Sequence, residues 1–354
     1  MSPVKDFSLT YDEPNEEGTF SEGDVVTGSV TFSLTKETKI KNLFVKAKGE
    51  GRVSWTDGNG DPNSSYSAKR RYFKVKEFLI AENAKGTVLS QGDHSFKFKI
   101  EIPNQDMPSS FKDANARIVY LIEAKLCKSW QWPSKAKTEF CFLSKSFPHI
   151  ENIMSPQSDS VIKELGTFSK EQVEMSASVD KKACSPGDTI TPSAIVCNSS
   201  SKSMKPKFIL QQKTVYRTGN HTKTCDERMV EVVGDAIMAN SEKTASCELV
   251  VPEDATCTVH NCDIVSVEYS VKVSLDISFA FDPELVFPLV VAPPALLAAA
   301  QAGQEDSGVP EDSGVPDYSG VPEDNGVPED SGVPEDSGVP EGQGGDDPAA
   351  DNTE

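Results

Sequence analysis

A large apolar side chain stands at every second position of Val265-Ser-Val-Glu-Tyr-Ser-Val-Lys-Val-Ser-Leu-Asp-Ile-Ser-Phe-Ala-Phe281, and all but one of the residues between them are polar. Successive side chains of a β-strand leave opposite faces of the sheet, so this pattern predicts a strand with one buried and one solvent-facing side. The same alternation occurs in two earlier segments, one with Val26, Val30, Phe32 and Leu34 and the other with Phe96, Phe98 and Ile100. Such segments, separated by Gly, Pro and Asn-Ser clusters, favour an all-β fold of antiparallel β-sandwiches.

The chain also repeats part of its own sequence. Residues 21–29 match residues 185–193 at five positions with an offset of 164, which also places Val45 on Ile209. Residues 118–126 align with residues 267–275 at an offset of 149. We therefore predict two β-sandwiches of one design, residues 1–145 and 166–292, joined by a polar linker at residues 146–166. The smaller second offset implies 15 extra residues in the first half, and the turn-rich stretch at residues 56–68 is the expected loop.

Residues 293–354 differ in composition from the rest of the chain. Between Glu305 and Pro340, six hexapeptides follow one another, most of them Glu-Asp-Ser-Gly-Val-Pro. One Val per hexapeptide cannot form a core, and the repeated Pro, Gly and acidic residues oppose regular structure. We therefore predict a disordered acidic tail. Residues 301–354 contain 16 acidic residues and no Lys or Arg.

The tail accounts for most of the charge of the chain. The formal net charge is −20, but residues 1–300 contain 39 acids and 35 bases. This balance argues against nucleic acid as the main ligand, because phosphate contacts need a basic surface. The N-terminus lacks an apolar secretory signal, and the uncharged run at residues 285–300 is too short and too rich in Pro to span a bilayer. We therefore expect a cytoplasmic protein whose eight cysteines are reduced thiols.

An ordered set of short motifs runs through both halves of the chain. The motifs are Gly23-Asp24, Val26-x-Gly28-x-Val30, Ile102-Pro103, Pro108-Ser-Ser-Phe111, Ile118-x-Tyr120-x-Ile122-x-Ala124-x-Leu126, Pro186-Gly187-Asp188, Lys205-Pro-Lys207, Val251-Pro252 and Val267-x-Tyr269. In their order and spacing the sequence resembles the arrestin superfamily, and within it the α-arrestins. The resemblance covers about 280 residues and implies two tandem arrestin-like, immunoglobulin-like β-sandwich domains.

The resemblance implies a non-catalytic adaptor for membrane-protein cargo. Such an adaptor links cytosolic parts of receptors or transporters to endocytic sorting proteins, and it is recruited from the cytoplasm to the plasma membrane or endosomes. α-Arrestins typically also carry PPxY motifs that bind WW domains of ubiquitin ligases. Here Pro293-Pro294 precedes Ala295, and the tail Tyr318 follows Pro316-Asp317. Since no PPxY motif is present, recruitment of a WW-domain ubiquitin ligase by this route is in doubt.

Positive charge on the strands indicates a candidate binding site. The residues are Lys46, Lys48, Lys69, Arg70, Arg71, Lys97 and Lys99. We predict that adjacent strands merge them into one basic patch on the first sandwich. Such a patch would bind acidic lipid headgroups, or a phosphorylated or acidic segment of a membrane protein. The alternatives are docking of the protein's own acidic tail, and ordinary solvated lysines that protect sheet faces and edges.

The sequence offers little for catalysis or metal binding. Cys257-x-x-His260-x-Cys262, with Cys247 ten residues before Cys257, contains four soft ligands that could hold zinc. No paired C-x-x-C motif accompanies them, so reduced thiols in or near a sheet are the favoured interpretation. G-x-S-x-G, H-E-x-x-H and phosphate-binding glycine motifs are also missing. We therefore expect no enzyme activity and no cofactor. The alternative to an adaptor is an interaction scaffold whose acidic repeat tail is the working element, without a cargo role.

Overall fold

The first half of the chain folds into β-strands of alternating burial. The computed structural model describes residues 2–56, 65–83, 85–129, 131–146, 153–165, 171–278 and 281–305. Its first ten strands are β1 (Val4–Tyr11), β2 (Thr19–Phe20), β3 (Val25–Leu34), β4 (Thr38–Thr56), β5 (Ser65–Ile80), β6 (Thr87–Leu89), β7 (Gly92–Glu101), β8 (Phe111–Lys112), β9 (Ala116–Lys128) and β10 (Gln131–Phe142).

Two sheets built from these strands face each other. One has the order β1-β3-β7, and the other has the order β2-β10-β9-β4-β5, with β6 beside β4 and β8 beside β9. Neighbouring strands are antiparallel except β2, which runs parallel to β10. The inward side chains of both sheets form the core, and its largest fully buried members include Phe20, Ile100, Tyr120 and Phe142.

The second half repeats this architecture. Its strands are β11 (Gln157–Glu164), β12 (Gln172–Val179), β13 (Ala183–Cys184), β14 (Thr189–Ile190), β15 (Pro192–Ser199), β16 (Met204–Thr218), β17 (His221–Val233), β18 (Ser241–Ser246), β19 (Leu249–Val250), β20 (Val265–Ile277) and β21 (Glu284–Val291). One sheet has the order β11-β12-β15-β18, the other has the order β13-β21-β20-β16-β17, and β14 pairs with β19. A helix, α1 (Pro294–Glu305), follows β21.

The larger sheets of the two sandwiches are topologically equivalent. The order β2-β10-β9-β4-β5 corresponds strand for strand to β13-β21-β20-β16-β17. The short first strand of each sheet is parallel to its neighbour, whereas the other neighbours are antiparallel. This correspondence confirms the prediction of two β-sandwiches of one design.

The repeated Gly-Asp motif forms the same turn in both sandwiches. The first residue of each turn donates its backbone N–H to the Asp carboxylate three residues later, at 2.7 Å in both Ser21/Asp24 and Ser185/Asp188. The intervening glycine has a φ of 80° at Gly23 and 87° at Gly187. Glycine suits this left-handed conformation because it has no Cβ to clash. The sequence repeat at this point is therefore a repeat of backbone geometry.

One alignment within the repeat is displaced by a residue. Val45 pairs with Ala124 on β9, whereas Phe208, not Ile209, pairs with Val273, the residue on β20 that is equivalent to Ala124. Val45 therefore corresponds to Phe208, since both face the core. The predicted match of Val45 with Ile209 is wrong, because a shift of one residue moves a side chain to the other face of the sheet.

The strand predicted over residues 265–281 is confirmed as far as Ile277. Inward residues of β20 such as Val271 and Val273 are fully buried, in agreement with the alternation. The strand then ends, because the Asp282 carboxylate accepts the Ile277 N–H at 3.1 Å and Pro283 has no N–H for the ladder. Phe281 is 87% exposed, so the prediction that it continues the strand is wrong.

The boundaries of the predicted linker and loop need correction. Strand β11 lies within the predicted linker at residues 146–166 and pairs along its whole length with β12, so the second sandwich begins by Gln157. Its sequence gives only a weak strand signal, because the apolar Ile162, which is 61% exposed, follows Val161 directly and interrupts the period-two pattern. Strands β4 and β5 pair as far as Thr56 and Ser65, so residues 65–68 of the predicted loop are strand. Residues 57–64 lie outside the described residues.

Helix α1 occupies the beginning of the segment predicted to be a disordered tail. Pro294 takes the first helical position, where its missing N–H costs nothing, and the Leu, Ala and Gln residues that follow are strong helix formers. Leu297 is 8% exposed and packs with Ile153, Ala183 and Val290. No helix among the described residues combines the length and the apolar character needed to cross a membrane. Residues 306–354, which include nearly all of the repeat, lie outside the described residues.

Side chains from both sandwiches meet between them. The Tyr216 hydroxyl donates to Asp113 Oδ2 at 2.5 Å, and Asn261 Nδ2 donates to Asp106 Oδ1 at 2.6 Å. The Tyr72 hydroxyl lies 3.1 Å from Cys262 Sγ. These polar contacts connect β5, the β7–β8 loop and the β8–β9 turn with β16 and the segment before β20. Trp55 and Tyr66, at one end of the β4–β5 hairpin, have ring contacts with Tyr216 and His221, so this end lies against the second sandwich.

Candidate functional site: a basic sheet face

Four of the predicted site residues lie on one face of the larger sheet in the first sandwich. Lys46 and Lys48 alternate on β4 with the core-facing Val45 and Ala47, and Lys69 and Arg71 lie on β5. The outward residues of β5, β4, β9 and β10 form the surface that we call the basic face. Its cations are Lys46, Lys48, Arg52, Lys69, Arg71, Lys74, Lys76, Arg117, Lys125, Lys135 and Lys137, and its acids are Glu50, Glu123 and Glu139.

Cross-strand pairing arranges these side chains in rows. The rows across β5, β4, β9 and β10 are Phe78-Phe44-Lys125-Lys135, Lys76-Lys46-Glu123-Lys137 and Lys74-Lys48-Leu121-Glu139, followed on β5, β4 and β9 by Arg71-Glu50-Val119 and Lys69-Arg52-Arg117. Neighbouring strands are about 4.8 Å apart, so charges in one row are well within a Debye length of about 8–10 Å. Eleven cations against three carboxylates give this face a positive potential.

The two ends of the basic face carry different cations. We call Lys48, Arg52, Lys69, Arg71, Lys74 and Arg117 the arginine end, which lies toward the second sandwich. We call Lys46, Lys76, Lys125, Lys135 and Lys137 the lysine end. At the lysine end, Lys76 Nζ lies 4.0 Å from the ring centroid of Phe44 and 3.8 Å from that of Phe78. These are cation–π distances, so the Lys76 charge and the two aromatic rings are in direct contact.

Glu50 organises the arginine end. Its side chain is only 5% exposed, and it contacts Lys48 Nζ at 2.9 Å, Arg71 Nη2 at 3.4 Å and Lys69 Nζ at 3.5 Å. Burial acts to raise the pKa of Glu50, but the hydrogen bond and charge of Lys48, together with Lys69, outweigh it and lower the pKa. The carboxylate is therefore ionised at neutral pH and holds three cations in place while neutralising one charge.

Two other ion pairs neutralise part of the basic face. Lys46 Nζ lies 3.1 Å from Glu123 Oε1, and Arg117 Nη2 contacts both oxygens of Glu139, at 2.6 and 2.7 Å. Within the described part of the chain, no carboxylate pairs with the remaining cations Arg52, Lys74, Lys76, Lys125, Lys135 and Lys137. The unpaired cations are thus distributed over both ends of the face.

Arg70 does not join the basic face. It pairs with Gly51, on the opposite side of the sheet from Lys69 and Arg71, because consecutive strand residues point to opposite faces. Its Nε lies 3.5 Å from Asp263 Oδ2 of the second sandwich. The structure therefore places Arg70 between the sandwiches, which corrects the prediction that the three consecutive cations form one group.

Lys97 and Lys99 lie on the other sheet. Both alternate with Phe98 and Ile100, as predicted, and both are exposed. Their strand, β7, pairs with β3 and not with β4 or β5, so they occupy the outer face of the smaller sheet. The prediction of one merged patch is therefore wrong for these two lysines, because their sheet depends on pairing between segments far apart in sequence.

Several cations of the basic face were missed at the sequence level. The missed residues are Arg52, Lys74, Lys76, Arg117, Lys125, Lys135 and Lys137. Lys74-Val-Lys76 and Lys135-Ala-Lys137 carry the same period-two pattern that identified Lys46 and Lys48, so the signal was present. The pairing of β5 with β4 places Lys74 and Lys76 on this face, and the register of β9 and β10 brings Lys125, Lys135 and Lys137 to it.

The cysteine and histidine cluster does not converge on one point. Cys262 Sγ contacts Tyr72, whereas His260 Nε2 lies 3.3 Å from Ser146 Oγ. Burial raises the pKa of the Cys257 thiol, and it raises that of Cys247 to about 11. A raised thiol pKa opposes both nucleophilic reactivity and metal ligation, which use the thiolate. Among the described residues, no three His, Cys, Asp or Glu side chains are grouped to hold a metal ion.

Comparison with known proteins agrees with the two-sandwich architecture. Residues 7–146 match the model of the Arrestin (or S-antigen), N-terminal domain, and residues 169–296 match that of the Arrestin (or S-antigen), C-terminal domain. The chain is 25% identical over 298 residues to human arrestin domain-containing protein 4, covering 81% of this chain and 71% of that protein. It is 23% identical over 296 residues to rat thioredoxin-interacting protein, covering 81% of this chain and 74% of that protein.

Proposed function

The chain belongs to the arrestin family, and on that premise we propose that it is a non-catalytic adaptor for membrane-protein cargo. In this proposal it acts in the cytoplasm, where it binds cytosolic segments of receptors or transporters and connects them to sorting proteins. The observation that supports a binding role most directly is the basic face, where eleven cations meet three carboxylates. Fold alone does not specify the ligand, so the proposal depends on the chemistry of this surface.

We propose that the arginine end binds an acidic or phosphorylated segment of the cargo. The Arg guanidinium offers a planar fork of donors that matches carboxylate and phosphate groups. Arg52 is exposed and lies between Lys69 and Arg117 in one row. A bound extended peptide would run parallel to β4 and β5. Successive rows of side chains are about 7 Å apart along these strands, which is similar to the spacing of alternate residues in an extended peptide.

The Glu50 cluster would prepare this site for binding. Because the buried carboxylate fixes Lys48, Lys69 and Arg71, less side-chain entropy remains to be lost when an anion arrives. The same carboxylate keeps the mutual repulsion of the cations small in the free protein. Because the charges at this site are exposed, we expect its affinity for an anionic segment to fall as the salt concentration rises.

Capture of membrane proteins from cells tests the cargo proposal. The full chain is compared with a variant in which Arg52→Glu and Lys74→Glu reverse two unpaired cations of the arginine end. The matched control is Lys213→Glu with Arg228→Glu, two exposed cations on the equivalent strands β16 and β17. Bound proteins are identified after affinity purification, and unfolding curves verify that all three proteins are folded.

We expect the wild type and the control to retain receptors or transporters together with sorting proteins. The arginine-end variant should lose most of the membrane proteins. If it retains them as the wild type does, the arginine end is not the cargo site. If no membrane protein is recovered with any of the three, the adaptor role itself is wrong.

The acidic repeat segment is the second candidate for the working element. A chain ending at Glu305 removes nearly all of the repeat and keeps α1, whose Leu297 packs against the second sandwich. The cargo proposal predicts that this truncated chain captures the same membrane proteins. Stronger capture would indicate that the tail competes for the basic face, whereas complete loss of partners would assign the activity to the repeats.

A further inference from the structure

Exposed apolar side chains accompany the lysine end of the basic face. Phe78 is 43% exposed and lies in the row with Lys125 and Lys135. Trp132 is 93% exposed in the β9–β10 hairpin, three residues before Lys135. The bulge between Gln131 and Ser134 sets Trp132 opposite Cys127, which alternates with core-facing residues of β9 as Lys125 does, so Trp132 belongs to the same face as Lys135. Phe78 and Trp132 are on opposite sides of the four-stranded surface, about 15 Å apart by three strand spacings. Large apolar side chains that are exposed to solvent beside cations indicate a binding surface.

We propose that the lysine end, with Phe78 and Trp132, is a docking surface for an anionic lipid bilayer. The cations would lie among acidic headgroups, and the two aromatic side chains would enter the interfacial layer. The inference goes beyond the cargo proposal, since it concerns a different end of the face and needs no protein partner.

The chemistry of the lysine end favours a bilayer over another protein. All five cations at this end are lysines, a residue that is depleted in protein–protein interfaces. Juxtamembrane lysines contribute about 1 kcal/mol each near an anionic surface. Their long apolar stems allow the charge to reach the headgroups from a distance.

The aromatic side chains fit the same environment. Trp is enriched at the boundary between headgroups and hydrocarbon, where its ring is apolar and its N–H remains wet. Phe78 and Trp132 are separated by lysines and form no continuous apolar patch, so they suit a mixed interfacial layer better than a dry protein contact. Charge and apolar insertion together give reversible membrane attachment, because each alone is weak.

The position of the docking surface is consistent with a role at membranes. Along β5, Lys76 and Lys69 are seven residues apart, about 23 Å in an extended strand. With the lysine end on the bilayer, the arginine end would lie within about 30 Å of it. A cytosolic segment that begins at the membrane could span this distance with about ten extended residues.

Sedimentation with lipid vesicles tests the docking surface. The full chain is mixed with vesicles of phosphatidylcholine alone, or of phosphatidylcholine and phosphatidylserine at a ratio of about four to one. A charge variant carries Lys125→Glu and Lys135→Glu, and its control carries Lys213→Glu and Arg228→Glu. An aromatic variant carries Trp132→Ala, and its control is Phe281→Ala, which removes an aromatic side chain that is 87% exposed on the second sandwich.

We expect binding to the phosphatidylserine vesicles only. The charge variant should bind at least about tenfold more weakly, and Trp132→Ala should bind about tenfold more weakly because a large apolar surface no longer enters the interface. Both controls should bind as the wild type does. Dissolved glycerophosphoserine should fail to displace the protein, since a single headgroup supplies neither the charge density nor the apolar layer.

Three results would overturn the proposal. Equal binding to both kinds of vesicle would show that the lysines do not recognise anionic lipid. Full displacement by glycerophosphoserine would indicate a headgroup or phosphate pocket in place of a bilayer surface. Loss of vesicle binding in Arg52→Glu with Lys74→Glu, but not in the lysine-end variants, would place the contact at the arginine end. Because the assay contains no cargo, these results leave the cargo proposal to its own test.

Discussion

The outer faces of the two equivalent sheets differ sharply in charge. The basic face of the first sandwich has eleven cations and three acids. The outward residues of β17, β16, β20 and β21 in the second sandwich include six cations, Lys205, Lys207, Lys213, Arg217, Arg228 and Lys272, and five acids, Asp226, Glu231, Glu268, Asp276 and Glu284. Here cation and acid pair locally, as Lys207 does with Asp276 at 2.8 Å. The second face is therefore nearly neutral.

The inward faces of the same sheets are alike. Tyr120 and Tyr269 occupy equivalent positions, and each donates its hydroxyl to a loop carbonyl, at 2.5 Å to Pro108 O and at 2.6 Å to Thr256 O. The fold is thus maintained by the inward half of each strand, while the outward half is free to vary in charge. A difference on the outward side points to function, because packing does not require it.

Truncation of equivalent core residues should produce the largest effects. Leu126 and Leu275 correspond at the offset of 149, and both are fully buried. We expect Leu126→Ala and Leu275→Ala each to lower the free energy of unfolding by about 2–5 kcal/mol, through lost burial and the cavity left behind. Urea unfolding of the full chain measures this, with Lys125→Ala as an outward control that should cost about 0.5 kcal/mol or less. A control as damaging as the core variants would contradict the division into inward and outward halves.

The inward half of this architecture was predictable because its signal is local. Period two over residues 265–277 identifies a buried strand face without knowledge of any partner strand. The turn at Gly23-Asp24 and its copy at Gly187-Asp188 likewise depend on residues three apart. Strand β11 was missed because Val161 and Ile162 are adjacent and hide the alternation, although its partner β12 is the next strand in the chain. Helix α1 was missed because its packing partners include Ile153 and Ala183, which are far from it in sequence.

The candidate site was predicted only in part, for two different physical reasons. Arg70 could have been separated from Lys69 and Arg71 by sequence alone, since three consecutive strand residues cannot share a face. Lys97 had the correct outward orientation but the wrong sheet, and only the pairing of β7 with β3 reveals this. Which sheet a strand joins depends on segments that are distant in sequence. The charge pattern along one strand therefore does not determine which other side chains share its surface.

Loss of the Glu50 carboxylate should have the next largest effect. We expect Glu50→Gln to lower the free energy of unfolding by about 1–3 kcal/mol, because Lys48, Lys69 and Arg71 lose a buried shared partner and repel one another. The matched change on the second face is Glu231→Gln, which removes the partner of the exposed Arg228. It should cost about 0.5 kcal/mol or less.

The pH dependence of the Glu50 effect gives a further test of its origin. Since the folded-state pKa of Glu50 lies below its ordinary value, the stabilisation is complete above the ordinary pKa and is lost as pH falls through the lowered one. The difference between wild type and Glu50→Gln should therefore be largest near neutral pH and shrink in acid. A difference that is constant down to strongly acidic pH would assign the effect to packing instead of charge.

Charge exchange on the second face should have the smallest effect on stability. Asp226 and Glu268 are exposed and flank Lys213 in one row. Asp226→Lys with Glu268→Lys gives the second face eight cations and three acids, close to the balance of the basic face. We expect the free energy of unfolding to change by about 1 kcal/mol or less, because exposed pairs contribute little.

The same variant distinguishes the effect of net charge on capture from the effect of how the charges are arranged. Combined with Arg52→Glu and Lys74→Glu, it restores cations to the chain but places lysines on the second face, without an arginine row or a buried anchor like Glu50. We expect capture of membrane proteins to remain as low as in the arginine-end variant alone. Recovery to the wild-type level would mean that any basic sheet face suffices, because the detailed geometry of the arginine end would then add nothing to recognition.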